Sequence, residues 1–181
     1  MKELEFSDGL VALDLGCGNK KRKGTIGVDI GDHFDIDVKH DLNVMPYPFE
    51  DNSVDRVYID NCLEHLDNPL RVIEEIHRIL KNGAYVKVIV PYFRSPSAFH
   101  DPTHKTHYTT QSFFYYDPSH VMCQRYKYTK AHFNVEKIVF HENLKSGAVK
   151  SLVVKFANKY SKIFKRNRGC QISAVWAVPK L

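Results

Sequence analysis

The feature that most constrains the fold is a pair of short apolar runs joined by a glycine-rich turn. Leu13–Leu15 leads into Gly16-Cys17-Gly18-Asn19, and the second run, Ile26–Ile30, contains Asp29. Glycine adopts positive φ and has no Cβ, so a ligand can lie directly on the turn. Asp29 ends the second predicted strand, where a carboxylate can accept hydrogen bonds from a ribose diol. The two features predict a site for a nucleoside-containing cofactor.

The turn differs from the glycine fingerprint of dinucleotide-binding proteins. Gly18 is followed by Asn19-Lys20-Lys21-Arg22-Lys23-Gly24, a basic stretch on which no apolar helix face can be drawn. The first helix, whose N-terminus would hold a pyrophosphate, is therefore expected to be shortened to about one turn. A nucleoside without phosphates fits this turn better.

Several segments together resemble a known family. Leu13 to Asn19 resembles motif I of the class I S-adenosylmethionine (SAM)-dependent methyltransferases, and Val28-Asp29-Ile30 resembles their second strand. Further matches follow in the family's order: Asp41-Leu42, the predicted strand Val54–Ile59, and Leu63-Glu64-His65-Leu66, which is similar to the sequence found there in the type 11 members. The resemblance covers roughly residues 10 to 91, and it is the order of the segments that makes it specific.

The resemblance implies SAM as cofactor, S-adenosylhomocysteine as product, and a set of binding residues. Gly16, Cys17 and Gly18 would hold the methionine part, and Asp29 the ribose. Asp14 would order the loop, while packing is the favoured role for the Cys17 thiol. The full set of cofactor-binding residues implied is Asp14, Gly16, Cys17, Gly18, Asn19, Asp29, Ile30, Asp41, Leu42, Asn61 and His65, with Asp41-Leu42 at the adenine.

Alternating strand and helix patterns predict an α/β fold of the Rossmann-like type. We expect a seven-stranded, mostly parallel sheet with helices on both faces, a shortened first helix and an insertion after the fifth strand. A helix over about 68–80 is indicated by apolar residues at helical spacing, with Asn82-Gly83 ending it. The predicted strands are 10–15, 25–30, 38–41, 54–59, 84–91, 133–141 and 171–178.

The chain is predicted to be one methyltransferase domain over residues 1–181. Residues 1–91 form its cofactor-binding half, and residues 92–181 a substrate and lid half. A segment that leaves the fifth strand at its carboxyl end can close over a bound cofactor.

The insertion is rich in groups that transfer protons. His100, Asp101 and His104 are the predicted catalytic residues, with His104 as the general base that takes the proton of a hydroxyl acceptor. The spacing of His100, His104 and His107 also suits a metal, but Pro102 disfavours the helix that would align them, and no metal site is predicted. Phe113 to Tyr116 have two interpretations, an acceptor pocket or packing of a short helix.

A basic segment near the C-terminus predicts an amphipathic helix over about 148–164. Between Lys145 and Arg168 there are eight lysines and arginines and no acidic residue, and apolar residues recur at helical spacing. Most such helices cover a core. This one also suggests a contact with RNA or an anionic membrane surface.

Composition limits the class of protein. Apolar residues make up 43% of the chain and charged residues 26%, as in globular domains. The four cysteines form no close pair, which disfavours a zinc knuckle or a disulfide framework. The longest apolar stretch is far shorter than the ~20 residues of a membrane span, so a cytoplasmic protein without a transmembrane segment is expected.

The predicted function is methyl transfer from SAM to a small-molecule or glycan-like acceptor, at oxygen. Asp60-Asn61-Cys62-Leu63 stands where enzymes that methylate amino groups often have an Asn-Pro-Pro-Tyr type sequence, which disfavours amine acceptors. Two alternatives remain open. One is an RNA methyltransferase that uses the basic helix, and the other is a partner subunit that binds the cofactor without catalysis.

Overall fold

The computed structural model describes residues 9–32, 36–141 and 171–179, together with the backbone of residues 151–154. Of the predicted basic helix over 148–164, only 151–154 fall within this part of the chain.

The described residues form one mixed sheet of eight strands in the order β3-β2-β1-β4-β5-β8-β6-β7. The five strands from β3 to β5 are parallel, and β8, β6 and β7 add antiparallel pairs at one side. The predicted α/β, Rossmann-like and mostly parallel fold is confirmed, with one strand more than the seven expected. The strands are β1 (Ala12–Leu15), β2 (Ile26–Asp29), β3 (Val38–Lys39), β4 (Val54–Asp60), β5 (Leu80–Pro91), β6 (Asn134–His141), β7 (Ser151–Val154) and β8 (Gln171–Ala177).

The longest described helix is α1 (Pro69–Ile79), and it packs an apolar face into the core. The side chain of Asn68 caps it by accepting the N–H of Arg71 at 3.2 Å. Its buried apolar residues, at helical spacing, are Val72, Ile73, Ile76 and Ile79. The other helices are short: α2 (Ser97–His100), α3 (Val121–Tyr126) and the 3-10 segments Leu63–His65 and Thr110–Tyr116.

The end of α1 corrects a prediction. Leu80 is already extended and pairs with Val54 of β4, so the helix stops at Ile79. Asn82-Gly83 was expected to end the helix and instead lies within β5, where Gly83 has φ +76°. Pairing of Leu80 with a buried neighbouring strand outweighs the local preference of the Asn-Gly pair.

The connection from β1 to β2 confirms the shortened first helix. Residues 16–25, all described, run through turns and bends without a helical segment. The absence of a helix N-terminus removes the usual position for a pyrophosphate.

The insertion after β5 packs through aromatic rings. Phe113 and Tyr116 of the 3-10 helix Thr110–Tyr116 lie with ring centroids 5.6 Å and 5.0 Å from Trp176 of β8. Phe133 contacts the same indole at 5.3 Å. These rings are buried, so of the two interpretations of this segment the packing role is the one observed.

Residues 151–154 correct the prediction of a basic helix. They form β7, which pairs antiparallel with β6 from Ile138↔Val154 to His141↔Ser151. Leu152-Val153-Val154 favours a strand, and the edge of β6 offers unpaired backbone groups to it. The helical surface predicted to contact RNA or a membrane is therefore interrupted near its beginning. Residues 148–150 and 155–164 lie outside the described residues.

None of the helices in the described ranges has the length and apolar character that crossing a membrane requires.

The glycine turn after β1 is fixed by contact with the end of β4. Gly16 has φ +68° and its N–H bonds to the carbonyl of Val28 at 2.8 Å. A Cβ at this position would lie 2.3 Å from Sγ and 2.6 Å from Cβ of Cys62, whereas a Cβ at Gly18 would meet no atom within 4 Å. The missing side chain at Gly16 therefore makes room for Cys62, whereas the missing side chain at Gly18 leaves room for a ligand.

This difference predicts unequal effects of two matched substitutions. Gly16→Ala and Gly18→Ala both place a side chain at positive φ, which costs roughly 1–2 kcal/mol. Gly16→Ala must also displace Cys62, so its free energy of unfolding should fall by about 1–3 kcal/mol more than that of Gly18→Ala. Urea denaturation followed by circular dichroism measures both. Equal losses would contradict the assigned contact.

Candidate active site

Asp29, at the end of β2, holds the glycine turn in place. Its Oδ2 accepts the N–H of Gly18 at 2.8 Å, and its Oδ1 accepts the N–H of Gly31 at 2.9 Å. Each carboxylate oxygen has two lone pairs, so one acceptor position on each oxygen remains for a ligand hydroxyl. Ile30 follows with its side chain 62% exposed, an apolar surface beside an acid of the kind that a planar base can stack on.

Asp14 holds the later part of the β1–β2 connection, at Arg22, in place. It is buried, and its Oδ2 accepts the N–H of Arg22 at 2.7 Å. Burial raises the pKa of Asp14. The Arg22 guanidinium in turn lies over the ring of Tyr58 at 4.4 Å and pairs with Asp60 at 2.6 Å. Sequence reasoning took Arg22 only as part of a basic stretch and missed that it ties the loop to β4.

The Cys17 thiol in the glycine turn is not activated as a nucleophile. Burial raises the pKa of Cys17 to about 11, and the nearby carboxylates of Asp14 and Asp29 add to the shift. A thiol with this pKa is protonated near neutral pH and is a poor nucleophile. The geometry agrees with a packing role for Cys17.

The other predicted cofactor residues border the same end of the sheet. Asp41 lies beyond β3, which ends at Lys39 rather than at Asp41 as predicted, and its Oδ1 accepts the N–H of Asn43 at 2.9 Å. Leu42 is buried, with Cδ1 4.0 Å from where a Cβ on Gly16 would stand. Asn61 has φ +50° directly after β4, and Asn19 is exposed in the glycine turn.

A second group of polar residues lies just beyond the end of β4, where residues of the insertion after β5 pack against that end. Glu64 is 1% exposed, and neither of its carboxylate oxygens has a hydrogen-bond partner among the described residues. His104 Nε2 lies 4.0 Å from Glu64 Oε1, and the rings of His65 and His104 are 4.7 Å apart in edge-to-face contact. Burial raises the pKa of Glu64 to about 7. Glu64, His65 and His104 are called the Glu-His cluster below.

Backbone hydrogen bonds bring the two halves of the cluster together. The carbonyl of Glu64 accepts the N–H groups of Lys105 and Thr106 at 2.8 Å and 3.2 Å. The Tyr108 hydroxyl donates to the carbonyl of Leu63 at 3.4 Å, and the Phe93 N–H donates to the carbonyl of Tyr108 at 2.9 Å. The histidine-rich loop is thereby held against the end of β4.

The three predicted catalytic residues occupy different positions. His104 belongs to the Glu-His cluster. Asp101 is exposed, and its Oδ1 accepts from the N–H and the hydroxyl of Thr103 at 2.9 Å and 2.7 Å, while Thr103 Oγ1 lies 2.9 Å from His65 Nδ1. His100 is exposed at the end of α2. Asp101 is thus linked to the cluster through Thr103, and the described contacts do not bring His100 to it.

Glu64 was missed as a functional residue by sequence reasoning. The available signal was a carboxylate directly before His65 and soon after a buried strand, within the Leu63-Glu64-His65-Leu66 match. Its burial without a partner depends on tertiary packing and has no local signature. Cys62, two residues before Glu64, is the residue that fills the space at Gly16, so the glycine turn and the cluster adjoin the same short segment.

Comparisons with known proteins show which sequences and folds this chain resembles. Residues 13–88 match the family model of the type 11 methyltransferase domain. An uncharacterized protein of Methanocaldococcus jannaschii is 36% identical over 101 residues, which are 50% of this chain and 44% of that protein. The chain thus spans less than half the length of this curated relative.

Two solved structures share the fold. One is a SAM-dependent methyltransferase from Thermotoga maritima, described as a possible histamine N-methyltransferase, with a TM-score of 0.67 and 17% identity over 92% of this chain and 81% of that chain. The other is a SAM-dependent methyltransferase from Archaeoglobus fulgidus, with a TM-score of 0.62 and 21% identity over 93% and 86%. Residues 13–88 thus resemble the type 11 methyltransferase domain, and the sheet has the same fold as these two SAM-dependent methyltransferases.

Proposed function

We propose that the protein transfers a methyl group from SAM to an oxygen atom of a small-molecule or glycan-like acceptor. The observation that carries the proposal is the adjacency of two sites at the end of β4. The glycine turn held by Asp29 offers room for a ligand at Gly18, and the Glu-His cluster lies two residues beyond Cys62, which packs on that turn.

The residues around the turn fit SAM better than a dinucleotide. No helix N-terminus follows β1, and the open position at Gly18 lies beside an acid that still has acceptor positions. In this proposal Asp29 binds the ribose hydroxyls and Ile30 stacks on the adenine, with Asp41 and Leu42 near it. Cys17, Gly18 and Asn19 contact the methionine part, Gly16 gives the turn its shape, and Asn61 and His65 lie beside this part at the end of β4.

When bound, SAM supplies an electrophilic methyl group on a sulfonium sulfur and leaves as S-adenosylhomocysteine. The protein must place the acceptor oxygen in line with the carbon–sulfur bond, which is a matter of proximity and orientation. A hydroxyl acceptor also loses its proton as the new carbon–oxygen bond forms. We assign removal of that proton to the Glu-His cluster, in which the unpaired buried carboxylate and two imidazoles offer acceptor positions.

The function is tested by incubating the chain with radiolabelled SAM and pools of metabolites, glycans and RNA. Label recovered as an O-methyl group in a small molecule or glycan would support the proposal. Label recovered in RNA or on nitrogen would overturn the acceptor assignment. Bound SAM with no transfer in any pool would instead indicate a cofactor-binding partner subunit.

Replacement of Asp29 should weaken cofactor binding. Asp29→Ala removes the ribose contacts, and each hydrogen bond to a charged group contributes about 1.5–3 kcal/mol, so the affinity for SAM should fall by roughly tenfold or more. Asp29→Asn keeps one acceptor oxygen and should have an intermediate effect. Calorimetric titration with SAM measures both variants. Asp32→Ala, a nearby exposed carboxylate, is the control for loss of charge, and unchanged affinity in Asp29→Ala would refute the ribose assignment.

Replacement of His104 should affect turnover and leave cofactor binding largely intact. Because a positioned proton acceptor contributes about 10²–10⁴-fold, His104→Ala should lower kcat by that order while the Kd for SAM stays within about twofold. The matched control is His107→Ala, whose ring packs on the exposed Phe99 at 4.5 Å. Normal kinetics in His104→Ala would remove the cluster from the reaction.

A further inference from the structure

The carboxylate of Glu64 is an unusual group to bury. It is 1% exposed, and within the described residues both of its oxygens lack a hydrogen-bond donor. An ionised carboxylate taken out of water costs several kcal/mol unless a partner compensates it. A carboxyl group buried in this way either holds a proton or has a cation beside it, and the two neighbouring histidines favour the cation.

The geometry points to a site for a divalent transition-metal cation formed by Glu64, His65 and His104. One ligand atom from each of the three residues lies within 4.8 Å of the other two. Tetrahedral coordination at the usual distance of about 2.0–2.1 Å needs ligand atoms roughly 3.4 Å apart. The ligand side chains would have to rotate toward one another when an ion binds.

The hydrogen bond made by His104 leaves its Nε2 atom free to bind a metal. Its Nδ1 lies 3.0 Å from the carbonyl oxygen of Ala98, which can only accept. Nδ1 therefore carries the proton, and Nε2, the atom 4.0 Å from Glu64 Oε1, has a free lone pair. A metal-binding histidine typically donates its other N–H to a carbonyl or carboxylate in this way.

His65 is fixed in the same form by a longer chain of bonds. The Thr103 hydroxyl donates its hydrogen to Asp101 Oδ1 at 2.7 Å, so its oxygen accepts from His65 Nδ1 at 2.9 Å. Nε2 of His65 is left with a lone pair. Asp101 and Thr103 act on the site as positioning residues, and this gives Asp101 a role that does not require contact with substrate.

An ion pair between Glu64 and a protonated His104 accounts less well for the arrangement. Such charged pairs close to about 2.7–2.9 Å, whereas the two atoms stand 4.0 Å apart. Lys105, the nearest lysine in sequence to His104, is paired with Asp67 at 2.6 Å. The 4.0 Å between His104 Nε2 and Glu64 Oε1 is too long for a hydrogen bond. It is short enough for one cation between the two atoms to contact both.

The donor set indicates the class of metal. Two imidazole nitrogens and one carboxylate suit Zn²⁺, Co²⁺, Ni²⁺, Mn²⁺ or Fe²⁺ better than Ca²⁺ or Mg²⁺, which favour oxygen ligands. Three protein ligands leave at least one coordination position open, as in catalytic rather than structural sites. A hydroxyl bound there would lose its proton more readily.

This catalytic consequence rests on the proposed function, while metal binding itself does not. An ion bound there would engage the lone pairs of both histidines, so they would hold the metal instead of taking the acceptor proton directly, and that proton would pass to solvent. The Glu-His cluster would then act on the acceptor through the ion. The sequence predicts no metal because Pro102 disfavours the helix that would align His100, His104 and His107. The Glu-His cluster takes its other two residues from outside the insertion, and the His107 ring packs against Phe99.

The test is metal binding by the full chain after treatment with a chelator. Titration with Co²⁺, followed by its visible absorption, and with Zn²⁺, followed by calorimetry, should give one equivalent of bound ion. Glu64→Gln and His104→Ala should each lower the affinity by more than about 100-fold, and Asp101→Asn by about 10–100-fold through loss of support for His65. His107→Ala should bind as the unmodified protein does.

Thermal unfolding keeps the test valid if one variant folds poorly. Zn²⁺ should raise the Tm of the unmodified protein and of His107→Ala, and should leave that of His104→Ala unchanged. Absence of one-to-one binding, or binding that Glu64→Gln and His104→Ala both retain, would overturn the site. Methyl transfer that persists in chelator together with absent Co²⁺ binding would overturn the metal site and leave the proposed function standing. Metal binding without methyl transfer to any acceptor would do the reverse.

Discussion

The carbonyl oxygen of Glu64 accepts two backbone N–H groups, from Lys105 and Thr106, and the candidate site depends on this contact. It holds the histidine-rich loop of the insertion against the carboxyl end of β4. It fixes the backbone next to His104 relative to Glu64, while the bond from His104 Nδ1 to the carbonyl of Ala98 orients the imidazole. The hydrogen bond from the Tyr108 hydroxyl to the carbonyl of Leu63, the residue before Glu64, strengthens this attachment of the loop.

Cys62 connects this contact with the glycine turn. Its side chain occupies the space that a Cβ on Gly16 would need, and Glu64 follows two residues later. Burial raises the pKa of Cys62 to about 12, and the carboxylates of Glu64 and Asp29 both add to the shift. The Cys62 thiol is therefore close enough to both acids, the one at the glycine turn and the one in the Glu-His cluster, for their charges to affect it.

Local patterns predicted elements well where the burial pattern was simple. The helical spacing of apolar residues from Leu70 to Leu80 gave α1 to within about a residue at each end, and the basic stretch after Gly18 correctly indicated that the first helix is shortened. They failed where pairing with a neighbouring strand competed with local preference. Leu80 joined β5 by pairing with Val54, and residues 151–154 joined the edge of β6 although apolar spacing indicated a helix.

The sequence by itself determined the order of the strands along the chain, the glycine turn with its positive φ angles, and the acid that ends β2. Each of these features depends on a few neighbouring residues. Only the tertiary structure decided which side chains share a site. Glu64 and His104 are far apart along the chain, and burial of the carboxylate depends on a loop that returns from beyond β5. Desolvation and the pairing of donors with acceptors are properties of the packed chain, and no local pattern encodes them.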